Sequence, residues 1–224
     1  MSNVIELRNI SKSFGAKTIY QGVSLEVAAG ECVGFVGKNG SGKSVLFQIM
    51  VGLVKPDAGE VFVNGVRLGE RGQDFPENTG ILINEPGYVG YLSGFKNLQM
   101  LAQIRNEIGD DEIRQTMSLL GLDADDKTPV RKYSMGMKQK LGIAQAIMEN
   151  QSLIILDEPY NALDFDTNRD ITQTLQELIW QGKTVLLTSH QHQYLEKLCD
   201  RIYFINEGKV VPFDDEVQAK YFEL

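Results

Sequence analysis

The residues best suited to chemistry form a glycine-rich run in the first quarter of the chain. They are Gly37, Lys38, Asn39, Gly40, Ser41, Gly42, Lys43 and Ser44, and they fit the pattern G-x-x-x-x-G-K-[ST] at every position. Glycine lets a backbone wrap closely around phosphate, and a turn of this kind directs N–H groups toward it. Lys43 can contribute a positive charge to the β- and γ-phosphates, and the Ser44 hydroxyl can coordinate Mg²⁺. The run therefore predicts a site for a nucleoside triphosphate.

Two adjacent carboxylates follow a strongly apolar run later in the chain. Residues 153–156 predict a buried strand, and Asp157 and Glu158 come directly after it. A carboxylate at the end of such a strand is expected to hold Mg²⁺ opposite a phosphate loop, and we assign this role to Asp157. We expect Glu158 to face the γ-phosphate and polarise the attacking water. The alternative interpretation, a solvated acidic turn after a core strand, is further disfavoured by the presence of the phosphate loop.

A third segment, at residues 133–140, combines a helix start with a Ser-x-Gly pattern. Ser134 is a good N-cap for a helix whose apolar positions include Leu141, Ala144 and Ile147. Considered alone, Ser134 indicates only a cap.

The elements that must position these residues alternate between strands and helices. Strand-like runs are predicted at 4–10, 23–27, 32–36, 59–68, 153–156, 184–188 and 201–205, and helical segments at 44–51, 95–122, 134–149, 168–181 and up to 198. The phosphate loop follows one strand and opens a helix, which is the context its motif requires. Asn64 and Gly65 indicate a hairpin turn. This order predicts an α/β fold with a mostly parallel core sheet, an N-terminal antiparallel β flank and a helical insertion.

Composition narrows the function classes. The 224 residues carry a net charge of −8, which argues against a protein that mainly neutralises a nucleic-acid backbone, so we expect no nucleic-acid partner. The chain does not start with a basic segment followed by an apolar run, so we do not expect it to be secreted. It also has no stretch of roughly 20 apolar residues, so we do not expect it to span a membrane. Cys32 and Cys199 each lie in an apolar run and are predicted to be buried, reduced thiols of a cytosolic protein.

The order of the motifs resembles that of the ATP-binding-cassette (ABC) ATPases, over essentially the whole chain. The segment at 133–140 stands where that family has its signature motif, usually Leu-Ser-Gly-Gly-Gln. Weaker matches are a D-loop at 161–164, a switch strand that ends in His190, the closing segments 199–202 and 206–209, and Phe14 where the family places an aromatic ring that stacks on adenine. Their order and spacing make the resemblance specific.

The resemblance implies a single P-loop NTPase domain, with an α/β core and β flank at about 1–83 and 151–224 and a Q-loop and helical subdomain at about 84–150. It implies ATP and Mg²⁺ as ligands. The nucleotide-binding residues are then Phe14, the phosphate loop from Gly37 through Ser44, and Val45, and the Mg²⁺ ligands are Ser44, Asp157 and Asn84. Glu158 and His190 are the implied catalytic residues, with His190 contacting the γ-phosphate. Ser134 and Gly136 are expected to contact the ATP of a partner subunit.

Several positions depart from the family pattern. Met135 stands for the first signature glycine, Met137 for the glutamine and Tyr133 for the leucine. Asn84 replaces the expected Q-loop glutamine and is followed by Glu85, and the sequence leaves open which of the two serves in that role. These substitutions, with the run at 157–164, look most like the ATPase subunits of bacitracin- or lantibiotic-type peptide exporters.

The resemblance also implies partners, because one subunit of this family holds an incomplete ATP site. It implies a homodimer, or a heterodimer with a related ATPase, that forms on ATP binding, and an integral membrane permease at the cytoplasmic face of the cell membrane. The segment 88–95, which contains Tyr88, Tyr91 and Phe95, is the candidate docking surface for the permease. An equally acceptable interpretation is that these rings pack the core of the insertion itself.

Two further functions remain as alternatives to a subunit that powers export through a permease. A soluble ABC-type clamp acting on nucleic acid or ribosomes would carry two cassettes, long coiled-coil insertions or basic extensions, and this chain has one phosphate loop and no sustained heptads. A non-hydrolysing ATP sensor would have lost Asp157, Glu158 or His190, and all three are present. Trp180 is predicted to pack on its helix and His192 to face solvent.

Overall fold

The computed structural model describes residues 2–70, 72–84, 86–161, 163–190 and 192–222. For residues 220–222 it describes the backbone alone. The strands are β1 (Asn3–Phe14), β2 (Lys17–Ala28), β3 (Cys32–Val36), β4 (Ala58–Val63), β5 (Val66–Arg67), β6 (Thr79–Leu82), β7 (Leu153–Leu156), β8 (Thr184–Ser189), β9 (Arg201–Asn206) and β10 (Lys209–Pro212). The helices are α1 (Lys43–Met50), α2 (Gly94–Arg105), α3 (Asp110–Leu119), α4 (Met135–Ile147), α5 (Phe165–Trp180), α6 (His192–Leu198) and α7 (Asp215–Phe222), with a short 3₁₀ turn at Val130–Lys132.

The first strands form a four-stranded antiparallel sheet in the order β2-β1-β4-β5. Side chains alternate between its two faces, since Val23, Leu25 and Val27 are buried whereas Ser24 and Glu26 between them are exposed. This alternation explains why the sequence pattern predicted an antiparallel flank. The first two strands are each 12 residues long, which is longer than their predicted apolar runs.

The hairpin between β4 and β5 turns at the predicted Asn-Gly pair. Asn64 has a φ of 51° and Gly65 a φ of 76°, so both central residues lie in the left-handed region. A two-residue hairpin turn of this geometry matches the twist of the strands, and Asn-Gly is the pair that adopts it most readily. Val63 and Val66 are paired directly across the turn.

The second sheet has six strands in the order β10-β9-β3-β8-β7-β6, and only its edge strand β10 pairs antiparallel. β3, β7 and β8 are buried at every position, as continuous apolar runs predict for strands covered on both faces. Because the central strands are parallel, their carboxyl ends meet along one edge of the sheet. The phosphate loop, Asp157 and His190 all follow strands at that edge.

The central strand β3 contributes to two hydrophobic cores. Cys32 and Val36 face a core shared with helices α2 to α6, whereas Val33 and Phe35 face a core shared with α1 and the antiparallel sheet. Successive side chains of a strand point to opposite faces, so one strand serves both layers.

The helical insertion contains α2, α3 and α4. The predicted helical stretch at 95–122 is two helices, because α2 ends at Asn106 in a left-handed conformation with φ 55°. The C-terminal half of α4 packs on β6, where Gly80 lies so close to the Ala146 carbonyl that a Cβ there would stand 1.7 Å from the oxygen. The signature helix therefore contacts the core sheet directly.

Three local expectations differ from the structure. Helix α5 begins at Phe165 rather than near 168, because the Asp164 side chain accepts a hydrogen bond from the Thr167 N–H and caps the helix earlier. Trp180 is 83% exposed and does not pack on its helix. The His192 side chain is only 13% exposed and lies 6.2 Å from the Phe213 ring, so it does not face solvent. Within the described residues, no helix is both long and apolar enough to span a membrane.

Candidate active site

The phosphate loop connects the end of β3 to the start of α1. Gly42 is the N-cap of α1 and has a φ of 113°, a conformation that strongly favours glycine. The first turn of α1 contains no acidic residue, and no side chain caps its N-terminus. The positive end of the helix is therefore available to an anion held in the loop.

Tyr20 of β2 forms a hydrogen bond to the phosphate loop, a contact that the sequence analysis did not predict. Its ring is fully buried, and its hydroxyl donates a hydrogen bond of 2.8 Å to the Gly42 carbonyl. Burial raises the pKa of Tyr20, which keeps the hydroxyl protonated as a donor. In the sequence, Tyr20 is one aromatic residue in a strand, and no local signal marks its reach to the loop.

Lys43 is buried and holds contacts to both sides of the site. Its ammonium donates to the Gly37 carbonyl at 2.8 Å and lies 3.2 Å from Glu158 Oε1. Only 6% of the side chain is exposed, so these oxygens replace the solvation that burial removes. The structure thus brings the predicted phosphate-binding lysine against the predicted general base.

Glu158 also contacts the predicted switch histidine. Glu158 Oε2 lies 3.0 Å from His190 Nδ1 and accepts a hydrogen bond of 3.2 Å from the His190 N–H. Glu158 has a φ of 49°, a strained conformation for a residue that is not glycine. Strain of this kind persists where the surroundings determine the conformation strongly. Lys43, Glu158 and His190 form one connected group in space, although more than 140 positions separate the first from the last.

Asp157 lies beside this group and is held by a residue that sequence reasoning did not select. Its Oδ1 accepts a hydrogen bond of 2.6 Å from the hydroxyl of Thr188, on β8. The same hydroxyl accepts a hydrogen bond of 2.7 Å from the Glu158 N–H.

The signature helix α4 presents its start at the surface. Ser134 is exposed and caps the helix, accepting a hydrogen bond of 3.1 Å from the Met137 N–H. A Cβ at Gly136 would stand 3.0 Å from Thr167 Oγ1, so a larger residue here would require the Thr167 side chain to shift. Thr167 in turn donates to Asp164 through both its N–H and its hydroxyl. The starts of α4 and α5 are therefore joined through Thr167.

A sequence profile described as ABC transporter matches residues 20–161, which is more than half of the chain. The chain belongs to the ABC transporter family. It is 34% identical over 212 residues to the bacitracin transport ATP-binding protein BcrA of Enterococcus faecalis, an alignment that covers 94% of this chain and 69% of BcrA. It is 32% identical over 208 residues to the lantibiotic transport ATP-binding protein SrtF of Streptococcus pyogenes, covering 93% and 89% of the two chains.

The fold is that of solved ABC cassettes as well. MJ0796, a bacterial ABC transporter cassette solved as a dimer, superposes with a TM-score of 0.81 at 25% identity, covering 92% of this chain and 96% of that chain. The α/β fold class and the family predicted from the sequence are confirmed. This chain is an ATP-binding and ATP-hydrolysing subunit of the ABC transporter type.

The ABC phosphate loop borders a cavity of about 290 Å³. Its lining consists of Lys17, Ile19, Asn39, Gly40, Gly42, Lys43, Ser44, Val45 and Glu158, which include five of the predicted phosphate-loop residues and Val45. Phe14 is not in this lining. It lies at the end of β1, 49% exposed and paired with Lys17 across the turn. Stacking of Phe14 on adenine stays a prediction.

Oxygen ligands suited to Mg²⁺ are present around this cavity. Ser44 lines the cavity, and Asp157 adjoins Glu158 at the end of β7. A hydroxyl and a carboxylate, completed by water, form a donor set that Mg²⁺ accepts. The buried hydroxyl of Ser41 has no hydrogen-bond partner among the described residues, which fits a loop built to bind a further group. ATP with Mg²⁺ therefore fits the residues present.

The predicted Q-loop position follows the end of β6. Asn84 is exposed, with a φ of 61°, two residues after Leu82 of β6. Leu82 pairs with Leu156, so Asn84 and Glu158 leave neighbouring strands at equivalent positions. Glu85, the alternative Q-loop residue, lies outside the described residues. The role of Asn84 as a metal ligand stays a prediction.

The aromatic residues of segment 88–95 divide between the two interpretations offered for them. Phe95 is 7% exposed and packs in the core of the insertion, as the core interpretation predicted. Tyr91 is 73% exposed. Tyr88 is partly buried and donates a hydrogen bond of 3.2 Å to the Lys138 carbonyl. It borders a groove of about 360 Å³ lined by Pro86, Tyr88, Gly90, Val130, Arg131, Met135, Lys138 and Gln139.

Proposed function

We propose that this chain binds ATP with Mg²⁺, pairs with a second ATPase chain when ATP is bound, and powers the export of a peptide by a separate membrane permease. The observation that carries the proposal is the contact of one glutamate, Glu158, with both the phosphate-loop lysine Lys43 and the switch histidine His190. Kinship with bacitracin and lantibiotic transport proteins supports export of a peptide. The chain would then act at the cytoplasmic face of the membrane.

The contact between Lys43 and Glu158 provides a way for ATP binding to free the Glu158 carboxylate for catalysis. The γ-phosphate competes for the Lys43 ammonium, so Glu158 Oε1 is released when phosphate oxygens take its place. Glu158 can then accept a proton from the attacking water, while His190 still holds its other oxygen. Ser44 and Asp157 would hold Mg²⁺, which supplies neutralisation of the charge on the phosphate oxygens.

A second copy is expected to complete the site. Ser134 and Gly136 do not line the phosphate-loop cavity of their own chain. Ser134 and the first N–H groups of α4 can donate to the γ-phosphate of an opposing subunit. The dimeric arrangement of MJ0796 supports this pairing. The partner is a second copy of this chain or a related ATPase.

The permease is expected to dock at the groove beside Tyr88. We take about 84–150 as the helical subdomain and about 1–83 with 151–224 as the core, and the groove lies within the former. Pro86, Tyr88 and Met135 offer apolar surface there, and Arg131 and Lys138 add positive charge, so a helix with an apolar face and acidic ends suits it. Tyr91, which is 73% exposed, directly follows Gly90 of the groove lining, and we include it in the proposed docking surface.

The test is to recover the permease. Tagged chain carrying Glu158→Gln would be captured with ATP from detergent-solubilised native membranes, and the bound proteins identified by mass spectrometry. A polytopic membrane protein in a fixed ratio is expected. Recovery of soluble partners alone, despite ATP-dependent dimerisation, would contradict the proposal and favour a clamp.

A matched pair of variants then tests the docking surface. Tyr91→Ala should weaken permease capture and leave the unfolding midpoint unchanged, because the ring is exposed. Ile104→Ala is the control, since Ile104 is 78% exposed on α2 and, unlike Tyr91, does not adjoin a groove-lining residue in the chain. Parallel loss of capture and stability in Tyr91→Ala would instead favour a packing role.

A further inference from the structure

Thr188 occupies a position between the two acidic residues of the site. It is fully buried on β8, and its single hydroxyl oxygen lies 2.6 Å from Asp157 Oδ1 and 2.7 Å from the Glu158 nitrogen. The directions of both hydrogen bonds are determined, because a backbone N–H can only donate and an ionised carboxylate can only accept. The Thr188 proton therefore points to Asp157, and its lone pair receives the Glu158 N–H.

The two contacts act on different parts of the site. The first holds the carboxylate of Asp157, which would hold Mg²⁺, in one orientation. The second satisfies the peptide N–H of Glu158, whose left-handed φ of 49° requires support from its surroundings. The Glu158 side chain leaves from this supported backbone toward Lys43 and His190.

We propose that Thr188 is a positioning residue for ATP hydrolysis, setting the Asp157 carboxylate and the Glu158 backbone relative to each other through one hydroxyl. The inference rests on the proposed roles of Asp157 and Glu158. A buried hydroxyl that served packing alone would not need both partners, and valine would fill the same volume.

Two substitutions separate the hydroxyl from the shape of the side chain. Thr188→Val keeps the volume and removes both hydrogen bonds, whereas Thr188→Ser keeps the hydroxyl and removes a methyl group. Loss of an outer hydrogen-bond partner of a metal-binding group typically costs about 10–100-fold in metal affinity or activity. We expect Thr188→Val to lower kcat by about that factor, and Thr188→Ser to restore most of it.

The measurements on the full chain are steady-state ATPase kinetics and the binding of a fluorescent ATP analogue, each over a series of Mg²⁺ concentrations. In Thr188→Val, the Mg²⁺ concentration that half-saturates analogue binding should rise, while analogue binding in EDTA stays within about twofold of wild type. KM for ATP at saturating Mg²⁺ should change much less than kcat. A purely structural role would leave the Mg²⁺ dependence unmoved.

Contrary outcomes are separable. Unchanged kcat and Mg²⁺ dependence in Thr188→Val would overturn the positioning role while leaving the proposed function intact. If Thr188→Val does not fold, Thr188→Ala takes its place, and equal activity of the alanine and serine variants would overturn the role. A wild-type chain that turns over no ATP, or normal turnover by Glu158→Gln, would overturn the proposed function itself.

Discussion

The phosphate-loop side of the site and the signature side are organised in opposite ways. On the first, Lys43 is 6% exposed, and its ammonium contacts the Gly37 carbonyl and the Glu158 carboxylate. On the second, Ser134 and Met135 are exposed at the start of α4, and Gly136 next to them packs against Thr167 of α5. We propose that the buried half restrains Glu158, the expected general base, and that the open half contacts the ATP of another subunit.

The largest effect is expected from removing the charge of Glu158. Glu158→Gln should lower ATP hydrolysis about 10²–10⁴-fold, the range that general base catalysis contributes. It should bind ATP at least as tightly as wild type, because the Lys43 ammonium no longer has a competing carboxylate. Single-turnover hydrolysis and nucleotide titration measure the two effects. Glu177→Gln, on the exposed face of α5, is the control for the loss of one negative charge. Weaker ATP binding in Glu158→Gln would refute the restraint.

Removal of the His190 side chain should also impair the phosphate-loop side of the site, with a smaller loss of activity than Glu158→Gln. His190→Ala removes the Nδ1 contact at 3.0 Å but keeps the backbone N–H that also reaches Glu158 Oε2. Glu158 therefore retains part of its support, and we expect kcat to fall about 10–100-fold. His192→Ala is the matched control, because His192 lies two residues away and packs near Phe213 instead. Equal losses in the two variants would indicate damage to α6 rather than to the site.

The parts of this site that could be predicted from sequence are those encoded locally. The loop at 37–44 combines residue types and spacing that few other structures use, and the run at 153–156 is buried as its composition predicts. The parallel sheet then explains why Asp157 and His190 meet at one edge, although they are distant in sequence. Local sequence patterns therefore predicted that the phosphate loop and the pair Asp157-Glu158 belong to one site, but not the contacts between their side chains.

The residues that sequence reasoning missed act through tertiary contacts. Tyr20 and Thr188 lie in strands where the apolar sequence pattern indicates only burial. Their hydroxyls donate hydrogen bonds to residues outside those strands. The errors at Trp180 and His192 have the same origin, since exposure of one ring depends on which neighbour covers it. Burial of a helix face can be predicted from periodicity, whereas the environment of a residue near a helix end cannot.

A substitution on the signature side should change ATP-dependent dimerisation rather than ATP binding by one chain. Ser134→Ala removes the N-cap of α4 and the hydroxyl expected to reach a partner's ATP, while the chain's own phosphate loop is untouched. ATP affinity of the monomer should stay within about twofold, whereas losing one charge-assisted hydrogen bond should weaken ATP-dependent dimerisation of a Glu158→Gln background about 10-fold. Light scattering with and without ATP measures this. Ser93→Ala, at the N-cap of α2, controls for the loss of a helix cap alone. A matching loss of dimer in Ser93→Ala would remove the distinction between the two sides.

The smallest effect concerns the link behind the signature helix. The Thr167 N–H and hydroxyl, which both donate to Asp164, hold the pKa of Asp164 below its usual value. Because the folded pKa lies below the unfolded one, Asp164 contributes stability above about pH 4, the usual aspartate value, and this contribution disappears as the pH falls through the folded pKa. Asp164→Ala should therefore lower the urea midpoint slightly at pH 7, and by less as the pH is reduced below about 4. Asp164→Asn also lacks the titrating carboxyl, so its difference from wild type should shrink in the same way, whereas the difference between the asparagine and alanine variants should not change with pH through this group. A constant difference between wild type and Asp164→Ala across this range would mean that the carboxylate charge does not hold the start of α5 against Gly136.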